Sequence, residues 1–267
     1  MFKNRPWNLI NSALMLGIHL AAFGAFFMPF HKRYFFLLLF HYLWFGYASS
    51  LYYHRCLTHR SFELTTPLHL FFLLGGLIGL GGDPVNWVAI HRYHHSHSDI
   101  PEDSHSPKDG FWYAYAAWQM KMDMSIVAKW KNLTEDLQKF WFIRLAQGNL
   151  PTFIAHTTYA FIIFQFFGVS GLLYGFYLPL ALSYQFCWML VASLCHLPQF
   201  GERKSETHDQ SRNIWWLGPL SFGESFHNNH HKNPRRLRVG VQWFEMDLTA
   251  RSVSILEKLG LAKSIVR

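Results

Sequence analysis

Charge is scarce in this sequence. Only 15% of its 267 residues are Asp, Glu, Lys or Arg, where a soluble globular domain carries about 25%. That shortage argues against an ordinary water-soluble domain. Cysteine is rarer still: Cys56, Cys187 and Cys195 stand at no ligand spacing. Their placement excludes a four-cysteine iron–sulfur motif and a haem-attachment motif, and it predicts reduced thiols, with Cys187 and Cys195 as ordinary helix packing. From Pro151 to Leu197 there is no Asp, Glu, Lys or Arg at all. Acids are outnumbered by bases, giving a net charge of +8. That excess fits a membrane topology with its positive side inward and attraction to anionic lipid, and no nucleic-acid partner is expected. Internal repeats, coiled-coil heptads and long disordered linkers are also missing.

Apolar bulk is what the chain has instead. Apolar residues make up 51% and aromatics 18%, with 26 Phe and 11 Trp. Leu9 to Phe30 and Tyr34 to Tyr53 are uncharged and long enough to cross a bilayer of about 30 Å. No small-residue cleavage site follows the first, so it is read as an uncleaved span. The 47 residues from Pro151 to Leu197 suit two spans with a turn at Gly168–Gly171. Pro67 to Gly82 is apolar but too short to cross and return at a rise of about 1.5 Å per residue, and reads as re-entrant or interfacial. The expected architecture is a single membrane domain over residues 1–267. Its spans fall at about 9–30, 34–53, 151–167 and 172–197, with a cap built from 54–150 and 198–267. Of the 24 Lys and Arg, 22 fall on the side of the termini and two, Lys32 and Arg33, on the other. The positive-inside rule then puts the termini and the cap in the cytoplasm.

Histidine carries the chemistry. Eight of 17 lie in three clusters: His54 and His59; His91, His94 and His95; His227, His230 and His231. Neutral imidazole is a strong ligand for first-row transition metals. Residues at i, i+3 and i+4 share a helix face, so each HxxHH cluster is expected to aim three imidazoles at one point. His54 and His59 stand about 140° apart on an ideal helix. They fit either a helix end running into a turn or two ligands serving two metals. Eight imidazoles exceed one ion's needs, which makes two metal ions the economical reading. His19, His31, His41, His69 and His156 read as core or surface residues. A nitrogen-rich dimetal site beside apolar helices implies an apolar substrate. Zinc would favour hydrolysis, whereas iron with O2 can take hydrogen from an unactivated C–H bond, chemistry no side chain performs alone.

The boxes HRCLTHRSFE (54–63), HRYHHSHSDIPEDSHSP (91–107) and GESFHNNHHKNP (223–234) resemble those of the membrane fatty acid desaturases, most closely the Δ9 acyl-CoA/acyl-lipid, stearoyl-CoA desaturase-like branch. The resemblance extends through Gly110-Phe-Trp112 and Trp243-Phe-Glu-Met-Asp247. It implies an all-α integral membrane enzyme with four transmembrane helices and a cytosolic helical cap holding a histidine-rich dimetal site, in the inner membrane if the source is bacterial. It implies an O2-dependent insertion of a cis double bond into a saturated acyl chain, at Δ9. Two Fe ions carry the chemistry and no side chain is assigned a catalytic role. Electrons come from a separate donor, a ferredoxin or a cytochrome b5-like protein.

Carried over residue by residue, the ligands are His54, His59, His91, His94, His95, His227, His230 and His231, with His196 as a ninth at the end of the last span. Where the family has a water-mediated asparagine contact, this chain has Ala192. Where animal acyl-CoA members have an Arg-Asp pair, it has Ala89-Ile90, which shifts weight toward an acyl-lipid substrate. His97 and His105 receive no ligand role. Asp99, Glu102, Asp103, Glu224, Glu245 and Asp247 are candidates to orient ligands. Arg235, Arg236 and Arg238 are candidates to meet a head-group phosphate or the membrane surface. Stepping back by four from His54 reaches Ser50, Gly46 and Tyr42, the expected lining and end of an acyl tunnel; ordinary helix packing is the competing reading. A hydroxylase or oxidase of the same superfamily would share the boxes. A metal transporter would place its polar groups within the spans, where this chain has no charge.

Overall fold

The computed structural model describes residues 2–267. The chain is predominantly helical. α1 runs Leu9–Phe27 and α2 runs Lys32–Thr58. His31 caps α2, its Nδ1 accepting from the Arg33 amide. α3 is Thr66–Ile78 and α4 is Pro84–His97. A third long apolar run spans Asn149–Leu194. It is not one rod. Gly168 has φ 66° and ψ −170°, a conformation open to glycine but not to other residues. Beyond it the rings of His156 and Phe176 lie 5.2 Å apart, and those of Tyr159 and Phe176 5.7 Å apart. In a straight helix, residues twenty apart would be separated by about 30 Å. The run is therefore a hairpin of two arms, residues 149–167 (α5) and 169–194 (α6). The cap ends with α7, His227–Lys232, and α8, Leu248–Lys258.

α1, α2 and the hairpin are long and apolar enough to cross a membrane. Their outward faces are apolar: Ile10, Phe36 and Phe166 are 72%, 70% and 76% exposed. Such a surface is unfavourable in water and suits lipid. α3 is apolar but short, and it packs between α2 and α5. The main core joins the inner faces of the helices to the cap through Tyr52, Tyr53, Leu57, Phe72, Val88 and Phe176.

Local chemistry fixes the two elements that matter most. Asp83 caps α4, its Oδ1 accepting from the Val85 and Asn86 amides at 2.8 and 3.3 Å, with Pro84 in the first turn. Its other oxygen accepts from the Gly148 amide at 2.8 Å, tying the start of the hairpin to the start of α4. Arg92 then latches α4 to the end of α2, donating to the carbonyls of Leu57 and Thr58 at 2.7 and 2.9 Å and pairing with Asp136. α2 itself changes winding. From Ala48 to Thr58 it is a π-helix, and the His59 amide reaches back to the His54 carbonyl at 3.1 Å. A two-residue antiparallel pairing, Glu63 with Lys263 and Leu64 with Ala262, pins the C-terminal segment beside this end of α2.

Candidate metal centre

The nine predicted ligands come together as two buried sets. His54, His59, His91, His95 and His230 form one; His94, His196, His227 and His231 form the other, with the ligand atoms of each set within 4.8 Å of one another. In the first set, Nε2 of His230 lies 3.1 Å from Nε2 of His54 and 3.0 Å from that of His95, which is 3.1 Å from that of His91. The sets adjoin, with the His95 and His231 rings 4.4 Å apart.

Each HxxHH cluster is split, contrary to the expectation of three imidazoles at one point. His91 and His95 serve the first set and His94 the second; His230 serves the first, and His227 and His231 the second. The reason is angular. Residues at i and i+4 differ by about 40° around a helix, whereas adjacent residues diverge by about 100°. His94-His95 and His230-His231 thus each bridge two centres. His54 and His59 serve the same set, their rings 4.7 Å apart. The π-winding explains this. A turn closed between i and i+5 brings the two residues to one side, which an α-helix does not do.

A backing partner turns most of these rings inward. His94 Nδ1 is 2.8 Å from Asp103, His196 Nδ1 is 2.9 Å from Asp99, and His231 Nδ1 is 2.6 Å from Asp209. His54 Nδ1 is 2.5 Å from Glu224, and His227 Nδ1 is 3.2 Å from the Glu224 carbonyl. Glu224 is held in turn by Arg55 Nε at 3.0 Å and by Ser50 Oγ. The opposite nitrogens of His59, His196 and His231 are buried with no hydrogen-bond partner among the described residues. Orphaned inward nitrogens backed by carboxylates fit a metal, since metal-bound imidazoles are oriented in this way.

The electrostatics agree with the geometry. Burial and neighbouring imidazoles push His59, His91, His95, His227, His230 and His231 well below the usual histidine range. These six are neutral at physiological pH, with lone pairs free to bind. Burial opposes ionisation of Asp99, Asp103 and Asp209, yet hydrogen bonds and charge from their histidines hold all three carboxyls well below the usual range.

Of the six acids expected to orient ligands, Asp99, Asp103 and Glu224 contact histidines. Asp247 holds Arg55 and caps α8, while Glu245 pairs with Lys204 at 2.5 Å. Glu102 is exposed. Sequence reasoning missed Asp209, which no ligand spacing marks. His105 joins neither set; it stacks on His94 at 4.1 Å and lies in a third group with His94 and Asp103. His97 is hydrogen-bonded to Ser96 and to the Tyr93 carbonyl. His41, His69 and His156 are buried outside the centre, and His31 is exposed. Asp209→Asn should lower metal affinity of the second set about 10- to 100-fold. Chelator competition measures it, and an unchanged affinity would remove Asp209 from the supporting shell.

A cavity of about 570 Å³ is lined in part by His91 of the first set, within the size range of small-molecule sites. Phe45, Ala48, Ser49 and Tyr53 of α2 line it, as do Trp87 and Trp188, and its far side carries lipid-facing Ile10, Leu150 and Phe153. Tyr42, Gly46 and Ser50, the expected tunnel residues, are not among the residues that line this cavity. Their face is covered by the cap: Tyr42 donates to the Leu220 carbonyl, Gly46 touches the Phe222 ring, and Ser50 binds Glu224 and Thr249. Of the steps by four from His54, the one to Ser50 runs through π-wound chain, while Gly46 and Tyr42 lie in the regular helix. Arg235, Arg236 and Arg238 are exposed and absent from this cavity. Ala89 and Ile90 are buried in core, and all three cysteines are buried free thiols.

The sequence profile of the fatty acid desaturase family matches residues 32–254. The chain is 38% identical over 222 residues to Delta-9 acyl-lipid desaturase 1 of Arabidopsis thaliana, covering 82% of this chain and 71% of that protein. It is 34% identical over 270 residues to the sn-1 stearoyl-lipid 9-desaturase of Anabaena variabilis, covering 97% and 93%. The sn-1 stearoyl-lipid 9-desaturase of a Synechocystis strain is 36% identical over 220 residues, covering 82% and 67%. Together with the paired imidazole sets, a match over this much of the chain makes the protein a member of the fatty acid desaturase family.

Proposed function

We propose that this protein is an O2-dependent acyl-lipid desaturase that introduces a cis double bond at Δ9 of a saturated chain, using two irons held by the nine histidines. The observation that carries the reading is the union of two imidazole sets with a largely apolar cavity that His91 helps to line. Iron with O2 and two electrons supplies the power to remove hydrogen from an unactivated chain. Everything else is the work of side chains. His54, His59, His91, His95 and His230 hold one ion, and His94, His196, His227 and His231 the other. Asp99, Asp103, Asp209 and Glu224 fix ring orientation and tautomer. Trp87 and Trp188, 4.7 Å apart beside His91, exclude water and hold the chain against the centre.

The membrane reading has four spans, at about 9–30, 34–53, 151–167 and 172–197, and the reversal at Gly168 supports the last two. The remainder, 54–150 and 198–267, forms the cap of a single domain. The distribution of Lys and Arg favours a cytoplasmic centre and cytoplasmic termini. A lipid-borne chain is favoured over a thioester by buried Ala89-Ile90, by the lipid-facing cavity wall and by the names of the relatives. Arg236 and Arg238 line a separate cavity of about 370 Å³ with Arg251 and Arg267; with Arg235 beside them, these guanidinium groups suit a phosphate or the anionic membrane surface. Electrons come from a separate ferredoxin or cytochrome b5-like protein.

Lipid analysis by gas chromatography and mass spectrometry of a host expressing the gene tests the reaction. Monounsaturated Δ9 chains in the glycerolipid fraction are expected; hydroxylated chains would establish the rival oxidase reading. The cavity is tested separately. Ser49→Phe places a ring in it and should shift the products toward shorter chains, read as the ratio of C16 to C18 products. An unaltered ratio with activity intact would place the chain elsewhere.

A further inference from the structure

We infer that residues 214–222, in the middle of the cap sequence, form a re-entrant loop embedded in the hydrocarbon of the leaflet nearest the metal centre. The inference rests on reading α2 as a membrane span. The segment reads Ile-Trp-Trp-Leu-Gly-Pro-Leu-Ser-Phe and carries no charge; the nearest charges are Arg212 and Glu224.

Depth is the first observation. Tyr42 sits in the middle of the apolar stretch of α2, eleven residues before Tyr53, or about 16 Å by helical rise. Its hydroxyl donates to the Leu220 carbonyl at 2.6 Å. The Phe222 ring lies 5.6 Å from that of Tyr42 and 4.8 Å from that of Tyr47, and it covers Gly46, where a side chain would collide with it. On the other side Leu217 packs with Val191 and Leu194, near the end of α6. The loop thus enters at the level of the last turns of α6, and its tip at Pro219-Leu220 reaches the mid-depth of α2.

The second observation is independent. Backbone polar groups in hydrocarbon must be satisfied within the protein. Seven of the nine carbonyls of this segment have a donor in the protein. The Ile214 amide donates to the Ser225 carbonyl, and the Ser225 hydroxyl returns a bond to the Ile214 carbonyl. The carbonyls of Trp215, Leu217 and Gly218 accept from the amides of Gly218, Ser221 and Gly223. Those of Ser221 and Phe222 accept from Glu224 and Thr249, and Leu220 accepts from Tyr42. An aqueous loop has water for these groups and no need of such closure.

The third is the outward face. Trp215, Trp216 and Leu220 are 62%, 48% and 39% exposed. At this depth acyl chains cover them, with the indoles suited to the boundary between chains and head groups.

The test uses the intact protein in nanodiscs containing a phospholipid with a diazirine midway along one acyl chain. After illumination, adducts are mapped by peptide mass spectrometry. Adducts on Trp215, Trp216 and Leu220 are expected at yields within a few-fold of those on Phe153 and Phe161 of α5. Labelled α5 with an unlabelled 214–222 peptide would overturn the inference while leaving the spans intact. If neither is labelled, the reading of the helices as spans fails, and the inference with it.

Discussion

Replacing His95 by alanine should abolish desaturation and strip metal from the first imidazole set while the protein still inserts into the membrane. His95 Nε2 lies 3.1 Å from that of His91 and 3.0 Å from that of His230, at the heart of the five converging nitrogens. Its ring also lies 4.4 Å from that of His231 of the second set, so its loss disturbs both sets. Altering a mere backing partner costs about 10- to 100-fold in affinity or activity, and losing a ligand from the middle of the set costs more. Metal analysis of purified protein should fall from two ions toward one, and product formation to background. Retained metal and activity in this variant would refute the ligand assignment. His31→Ala, at an exposed helix cap, should cost no more than about 1 kcal/mol. His69→Ala should behave differently from His31→Ala. His69 is buried against Phe140 and Phe142, with Nδ1 3.3 Å from the Tyr52 hydroxyl, so the variant should keep its metals but lose about 2 kcal/mol or more of stability.

Glu224→Ala should cost about 3–5 kcal/mol, the penalty for removing one partner of a buried ion pair. Arg55 is 1% exposed and is held by Glu224 at 3.0 Å and Asp247 at 2.9 Å. Its Nη2 already has no partner among the described residues, so the loss of Glu224 leaves a buried guanidinium half compensated. The same change frees His54 Nδ1 and Ser50, which links the fold of the cap to the first metal set. Thermal melting in detergent and metal content should therefore drop together. Burial opposes ionisation of Glu224, but Arg55 and His54 hold its pKa down to about 2 from an ordinary 4.5. The stabilisation from its charge is complete above 4.5 and is lost as pH falls through about 2. Glu224→Gln keeps the hydrogen-bonding shape without the charge and should fall between wild type and alanine. A melting temperature and metal content equal to wild type in Glu224→Ala would show that the pair contributes neither stability nor orientation.

The ligands were legible because HxxHH spacing is a local fact, and imidazoles at i and i+4 announce a shared face. Which metal each histidine serves was not legible. That division depends on the 100° between neighbours and on facing helices far apart in sequence. The pairing of His54 with His59 depends on a π-winding that no residue type between 48 and 58 signals. Asp209 escaped notice because it reaches His231 across 22 residues of irregular chain. The apolar runs gave the helices, and Gly168-Val-Ser-Gly171 gave the reversal between α5 and α6. The cavity lies on the Phe45-Ser49 side of α2, while residues 220–249 cover the Tyr42-Gly46-Ser50 side, a tertiary matter that the sequence does not display.

The first metal set joins His54 to His230, 176 positions later. Contacts of such separation form late, after the entropy of closing a long loop has been overcome. During synthesis α1 to α6 leave the ribosome before α7, so the histidines they carry wait for their partners. Once α7 arrives, a metal ion in the first set would draw together three distant parts of the chain, the end of α2, α4 and α7, and act as the clasp that completes the tertiary structure. On the proposed di-iron reading, metal supply during translation would govern how much protein matures.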